Sequence, residues 1–136
     1  SLLPRFVATN PTPTMGLSCG LAAIVGHMFP WALHFKGGKG VATTIGVLLG
    51  AAPALAAVMV GTWIMVFAVT RYVSLGSLAA AAAIPISQWV WHRPSSEVLW
   101  GVLVAALIIA RHDSNIQRLR AGTEPRAWSA RGPKDR

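Results

Sequence analysis

The chain has 136 residues, 54% of them hydrophobic and only 12% charged, about half the charged share of an average soluble domain. Its mean hydropathy is +0.53, so the composition speaks against a soluble domain and for a membrane protein. The net charge is +8, but the basic residues lie between and after apolar tracts rather than along one helical face. That pattern fits loops facing anionic lipid and phosphorylated substrates, not nucleic acid. The single cysteine, Cys19, excludes an intrachain disulfide and a Cys-rich metal site, and its apolar, small-residue surroundings read as packing.

In chain order, residues 1–15 read as a loop following a missing N-terminal part, residues 16–110 as a transmembrane helical domain, and residues 111–136 as a cytoplasmic C-terminal segment with a disordered end. Pro11 and Pro13 break any helix near the start. No basic stretch with a short apolar core marks a signal peptide, and the chain opens on Ser1, as a fragment would. The first membrane segment covers residues 15–35, kinked or ended at Pro30. Residues 41–51 form a short helix, too short to cross an average bilayer alone, and Pro53 separates it from a full span over residues 54–69. An Ala-rich segment suited to close packing covers residues 74–91, and a fifth covers residues 98–110. The fold class is thus all-α, a polytopic bundle with about five membrane segments. Lys36, Lys39, Arg71 and the basic tail alternate with nearly neutral turns at Pro53 and Pro94, which places the basic loops and the C-terminus in the cytoplasm. Trp31, Trp89, Trp91 and Trp100 fall near interfaces, as an aromatic belt would.

Three polar clusters share that cytoplasmic face. The first runs Gly26-His27-Met28-Phe29-Pro30 and then Phe35-Lys36-Gly37-Gly38-Lys39-Gly40, directly before a helix start. Glycines admit close backbone approach, free N–H groups at a helix start attract phosphate, and two lysines add charge. A flexible basic loop that only sets topology is the plainer reading. His27 reads as a brace for the glycine loop, and it is also an intramembrane ionisable residue. The second cluster holds Arg71, Ser74 and Ser77. The serines are three apart on one helical face, and Arg71 has the fork geometry for phosphate. An ordinary N-cap at Ser74 explains the same residues. The third places His112 and Asn115 three apart, with His112 able to titrate near neutrality. Arg118 and Arg120 read as lipid-facing or solvated, and Glu124 before Pro125 as a helix end and structural counter-ion. No metal-ligand spacing and no GxSxG elbow occur.

The stretch GHMFPWALHFKGGKGVATTIGVLL resembles the second signature of the PlsY family of acyl-phosphate:glycerol-3-phosphate acyltransferases. RYVSLGSLAAAAAIPI is similar to that family's next cytoplasmic turn and helix, and RHDSNIQRLRAGTEPR to its third signature. The resemblance implies a seven-span bacterial inner-membrane fold of which this chain holds the last five spans. It implies transfer of a fatty acyl group from acyl phosphate to sn-glycerol 3-phosphate, giving lysophosphatidic acid and phosphate, beside the enzyme that forms acyl phosphate and with neither cofactor nor metal. Carried over by position, Lys36, Gly37, Gly38, Lys39 and Gly40 bind the phosphorylated substrates, Ser74 and Ser77 line the phosphate pocket with Arg71 nearby, His112 and Asn115 act at the reaction centre, and Glu124 keeps the structure intact. The substrate hydroxyl gives its proton either to His112 or to a substrate phosphate. The family's first signature, with its Ser, Arg and Gly-Asn-rich run, is absent, so the resemblance implies a chain incomplete as an enzyme. Two other classes remain at this point: a transporter or channel subunit for an organic phosphate, for which no internal repeat is visible, and a structural scaffold, which leaves the lysine loop unexplained.

Overall fold

The computed structural model describes residues 13–29 and 38–127. Six helices occur among them: α1 Pro13–Met28, α2 Val41–Ala51, α3 Pro53–Thr70, α4 Val73–Val90, α5 Ser95–Arg111 and α6 Asp113–Arg120. No strand occurs among the described residues.

The boundaries follow from a few residues. α1 begins at Pro13, which starts a helix rather than breaking one, because a first-turn residue needs no N–H partner. It ends at Met28, so Pro30 and the remainder of the expected first segment lie outside the described residues. Proline also opens α3, at Pro53, after Ala52 leaves helical geometry. Arg71 closes α3 in the left-handed region at φ 61°. The N-cap of α4 is Tyr72, with no side-chain cap bond, so Ser74 is a first-turn residue and not the expected cap. Pro85 lies inside α4, where it removes one backbone hydrogen bond.

α3 and α4 are each long and apolar enough to cross a membrane, and α5 with α6 makes a third such element, bent by 64°. α1 and α2 are shorter apolar helices, and α2, with 11 residues, is only about 16 Å long at 1.5 Å per residue. The helices pack as a ring: α1 on α2, α2 on α3, α3 on α4, α4 on α5, and α5 back on α1. Ile24, Met28, Leu48, Met59, Ile84, Val104 and Ile108 fill its interior with no exposed surface. Only 17% of the α3 span is buried against 39% for α4, so the described helices leave most of α3 uncovered and α4 is the central helix among them. Lipid tails are as apolar as these side chains, so close fit rather than water exclusion holds the ring. Gly76 shows the fit, since an added Cβ would stand 3.2 Å from the Trp63 backbone oxygen.

Trp100 is buried within the bundle, where its indole Nε1–H donates to Leu17 O at 2.8 Å and ties α5 to α1. Cys19 is exposed on α1 rather than packed. The neutral turns do gather at one end, where Ala52, Pro53, Trp91 and Arg93 line one small cavity. The basic loops meet at the other end, where Lys39 contacts Asn115 and Ala127 N donates to Arg71 O at 2.9 Å.

Candidate active site

At that basic end lies an open cavity of about 400 Å³. Five places in the chain supply its walls: Lys39 before α2, Ser74 and Ser77 on α4, His112 at the α5–α6 bend, Asn115 and Arg118 on α6, and Glu124 with Arg126 beyond α6. Each is held there by a local feature of sequence.

Lys39 is aimed by the glycines around it. Gly40 sits at φ 79° as the N-cap of α2, a backbone state that L side chains avoid. A Cβ at Gly40 would collide with Met28 Cε, and one at Gly38 with His27 Nε2. His27 therefore lies close against Gly38. Thr44 ties the loop to α2, giving both its N–H, at 2.9 Å, and its hydroxyl, at 2.8 Å, to Gly40 O.

The C-terminal half of the site depends on a sharp reversal after α6. Thr123 N donates to Arg118 O at 2.8 Å and Gly122 N to Leu119 O at 3.2 Å, with Gly122 at φ 68°. This is a Schellman ending, and it needs the glycine. It turns Glu124 back over α6, where the carboxylate accepts from Asn115 Nδ2 at 2.7 Å and from Arg118 Nε at 2.7 Å. The following residues strap across the α3–α4 turn: Arg126 Nε donates to Tyr72 Oη at 3.0 Å, and its guanidinium lies 5.1 Å from the Tyr72 ring centre.

These pieces form one network. Lys39 Nζ donates to Asn115 Oδ1 at 2.6 Å. Asn115 thereby joins the glycine–lysine loop to the Glu124–Arg118 ion pair. The Glu124 side chain is only 6% exposed. Burial alone raises its pKa, but the neighbouring Ser74 hydroxyl, the hydrogen bonds from Asn115 and Arg118, and the Arg118 charge outweigh burial and hold it below the usual carboxylate value. Ser74 Oγ lies near enough to contribute to that shift yet closes no hydrogen bond of good geometry. It is a buried hydroxyl with capacity to spare for a ligand. Ser77 instead gives its hydroxyl to Val73 O at 3.0 Å.

His112 is 2% exposed, and its Nδ1 lies 2.7 Å from Ile108 O. A carbonyl only accepts, so Nδ1 carries the proton and Nε2 is the acceptor nitrogen of the neutral ring. Lys39, Arg118 and Arg126 outnumber the one carboxylate, Glu124, around the cavity, which suits an anionic ligand. Among the described residues, no group of three His, Cys, Asp or Glu side chains is placed to hold a metal.

Of the residues singled out in the sequence, the structure brings Lys39, Ser74, Ser77, His112, Asn115 and Glu124 to this cavity. Gly38 and Gly40 lie behind Lys39. Lys36 and Gly37 lie outside the described residues. The Arg71 side chain does not line the cavity; that residue contributes its carbonyl to the strap. Arg118, expected to be solvated or lipid-facing, is instead the partner of Glu124. Its spacing from Glu124 across the Gly122 reversal was the available signal, but only the Schellman geometry turns that spacing into contact. Arg126 was not singled out at all.

A family model described as "Glycerol-3-phosphate acyltransferase" matches residues 1–122. A protein of that name from Gloeobacter violaceus is 47% identical over 110 residues, 81% of this chain and 54% of the relative. Another, from Methylococcus capsulatus, is 40% identical over 132 residues, 96% of this chain and 67% of the relative. The crystal structure of PlsY (YgiH), an integral membrane glycerol 3-phosphate acyltransferase, in its glycerol 3-phosphate form, is 38% identical with a TM-score of 0.79, over 86% of this chain and 58% of that one. Its lysophosphatidic acid form gives a TM-score of 0.78 over 85% and 59%. The chain thus spans between 54% and 67% of the length of these two curated relatives.

Proposed function

Because this chain belongs to the glycerol-3-phosphate acyltransferase family, we propose that its cavity is the greater part of an active site. In this reading the site transfers a fatty acyl group from acyl phosphate to sn-glycerol 3-phosphate, yielding 1-acyl-glycerol 3-phosphate and phosphate, an early step of phospholipid synthesis. The observation that carries the reading is the convergence of Lys39, Ser74, His112 and Asn115 on one cation-rich cavity at one end of a membrane bundle. The solved relative was crystallised in glycerol 3-phosphate and lysophosphatidic acid forms, the acceptor and product this chemistry requires.

An acyl phosphate is already activated, so no covalent nucleophile is needed. The glycerol hydroxyl oxygen forms a new bond to the acyl carbon, and the bond from that carbon to the phosphate oxygen breaks, its electrons leaving with phosphate. The protein has two tasks: to hold two phosphorylated molecules at reacting distance, and to stabilise charge on the departing phosphate. Lys39 supplies a fixed ammonium, and the Ser74 hydroxyl a donor. The hydroxyl proton goes to the leaving phosphate, or to His112 Nε2, the ring's acceptor nitrogen. Lys36, Gly37, Gly38, Gly40 and Ser77 complete the binding set in this proposal, with Arg71 holding the strap through its carbonyl rather than binding substrate, and the site faces the cytoplasm of a bacterial inner membrane, beside the enzyme that makes acyl phosphate. Transport of an organic phosphate has no specific observation in its favour, because the charged side chains of the cavity gather at one end of the bundle.

The test is phosphate release from palmitoyl phosphate and glycerol 3-phosphate in detergent, run on this chain and on a chain of the relatives' full length. Release by the longer chain, abolished in folded Lys39→Met and His112→Ala variants, is the expected result. No release by either chain, with both folded and the donor intact, would overturn the proposal.

A further inference from the structure

Arg118 is the least expected member of the site. It is part-exposed on α6, yet its Nε is committed to Glu124 Oε2 at 2.7 Å, and the Glu124 side chain is almost fully buried. The other carboxylate oxygen, Oε1, takes Asn115 Nδ2 at 2.7 Å. A carboxylate can only accept, so the Asn115 amide has one permitted orientation: Nδ2 towards Glu124 and Oδ1 away from it. Oδ1 then accepts from Lys39 Nζ at 2.6 Å. The reverse orientation would point an N–H group at an ammonium, donor against donor. The direction of every bond is therefore set by the charge at its far end.

We infer that Arg118 is a positioning residue: by keeping Glu124 ionised and in place it locks the Asn115 amide, and through that amide it fixes the ammonium of Lys39 at the mouth of the cavity. The lysine approaches from the loop before α2 and the arginine from α6, so the relay joins two elements far apart in the chain. Without the guanidinium, a buried carboxylate favours its protonated form. A protonated Glu124 can donate, Asn115 is free to turn over, and Lys39 loses its acceptor. This role rests on the acyl-transfer reading for its consequence in catalysis, but the relay itself is independent of any reaction.

Lys39 reactivity measures the relay directly. Folded protein in detergent is pulsed with acetic anhydride, and acetylation at Lys39 is followed by mass spectrometry against an added amine standard. Asn115→Ala sets the rate of a released lysine. Arg118→Gln and Glu124→Gln are each expected to raise the Lys39 rate roughly tenfold, the scale of losing one hydrogen bond to a charged group. The double variant is expected to go no further, because both changes cut the same relay, and Arg118→Lys to stay near wild type. In a chain of the relatives' full length, Arg118→Gln is expected to raise KM for glycerol 3-phosphate more than it lowers kcat. A Lys39 rate unchanged in both Arg118→Gln and Glu124→Gln would overturn the inference. Release of Lys39 in these variants, with a wild-type protein that transfers no acyl group, would count against the proposed function and still support the relay.

Discussion

Gly40→Ala tests whether backbone geometry at the start of α2 aims the lysine. At φ 79° an alanine pays the left-handed penalty of about 1–2 kcal/mol. Its methyl would also fall on Met28 Cε and stand 3.2 Å from Met28 Cγ. Met28 has no exposed surface into which it can move, so overpacking adds about 1–3 kcal/mol. The sum, about 2–5 kcal/mol, is large enough either to lower stability or to push the loop out of place. Gly46, in the same helix, is the control: a Cβ there meets nothing within 4 Å, and alanine should be neutral or gain up to about 1 kcal/mol. Unfolding midpoints in mild detergent should separate the two variants, with Gly40→Ala lower and Gly46→Ala equal to or above wild type. Phosphate binding should fall only in Gly40→Ala. Equal midpoints and equal binding for the two would refute the argument.

Three further outcomes follow from the packing and the charges. Gln88 is fully buried, with both amide atoms unpartnered; Gln88→Met keeps its volume, removes the unpaired polarity and should raise stability by about 1–3 kcal/mol in an unfolding titration. Trp100→Phe deletes the indole bond to Leu17 O and should cost about 0.5–1.5 kcal/mol, seen as a lower midpoint without loss of helicity. The folded pKa of Glu124 lies below its ordinary value, so its contribution to stability is complete above the ordinary carboxylate range and fades as pH falls through the lowered value. A Glu124→Gln variant should lose that contribution at neutral pH and show a flatter acid limb when midpoints are followed against pH.

The helical segments were legible because proline and apolar length mark them: Pro53 and Pro94 stand where the chain turns, and the Ala-rich run of α4 is the central helix. The site was legible in parts. Lys39, Ser74, His112 and Asn115 are polar residues at the ends of apolar tracts, and such residues rarely lack a task. What sequence could not supply was the reversal at Gly122. An eight-residue α6 with a glycine just beyond it reads as an ordinary helix end, and only the return of the chain over its last turn brings Arg118 and Glu124 together. The partner of Trp100 was not legible either: the sequence shows a polar indole edge, and only the fold supplies the Leu17 carbonyl on α1 that satisfies it.

The ring order of the helices also constrains how the molecule is made. Four of its five helix-to-helix contacts join elements adjacent in the chain, and the α1–α5 contact closes the circle. Neighbouring hairpins can thus assemble as synthesis delivers them to the membrane, with little loop entropy to overcome. Lys39 and Asn115, by contrast, are 76 residues apart. Their meeting waits for α5 and α6, so a nascent chain carries the lysine loop long before it carries the groups that give that loop a fixed shape. The proposed anion site is in this sense a report of finished assembly: a chain that stops between α5 and α6 has its long apolar helices and the lysine loop, but not Asn115, Arg118 or Glu124.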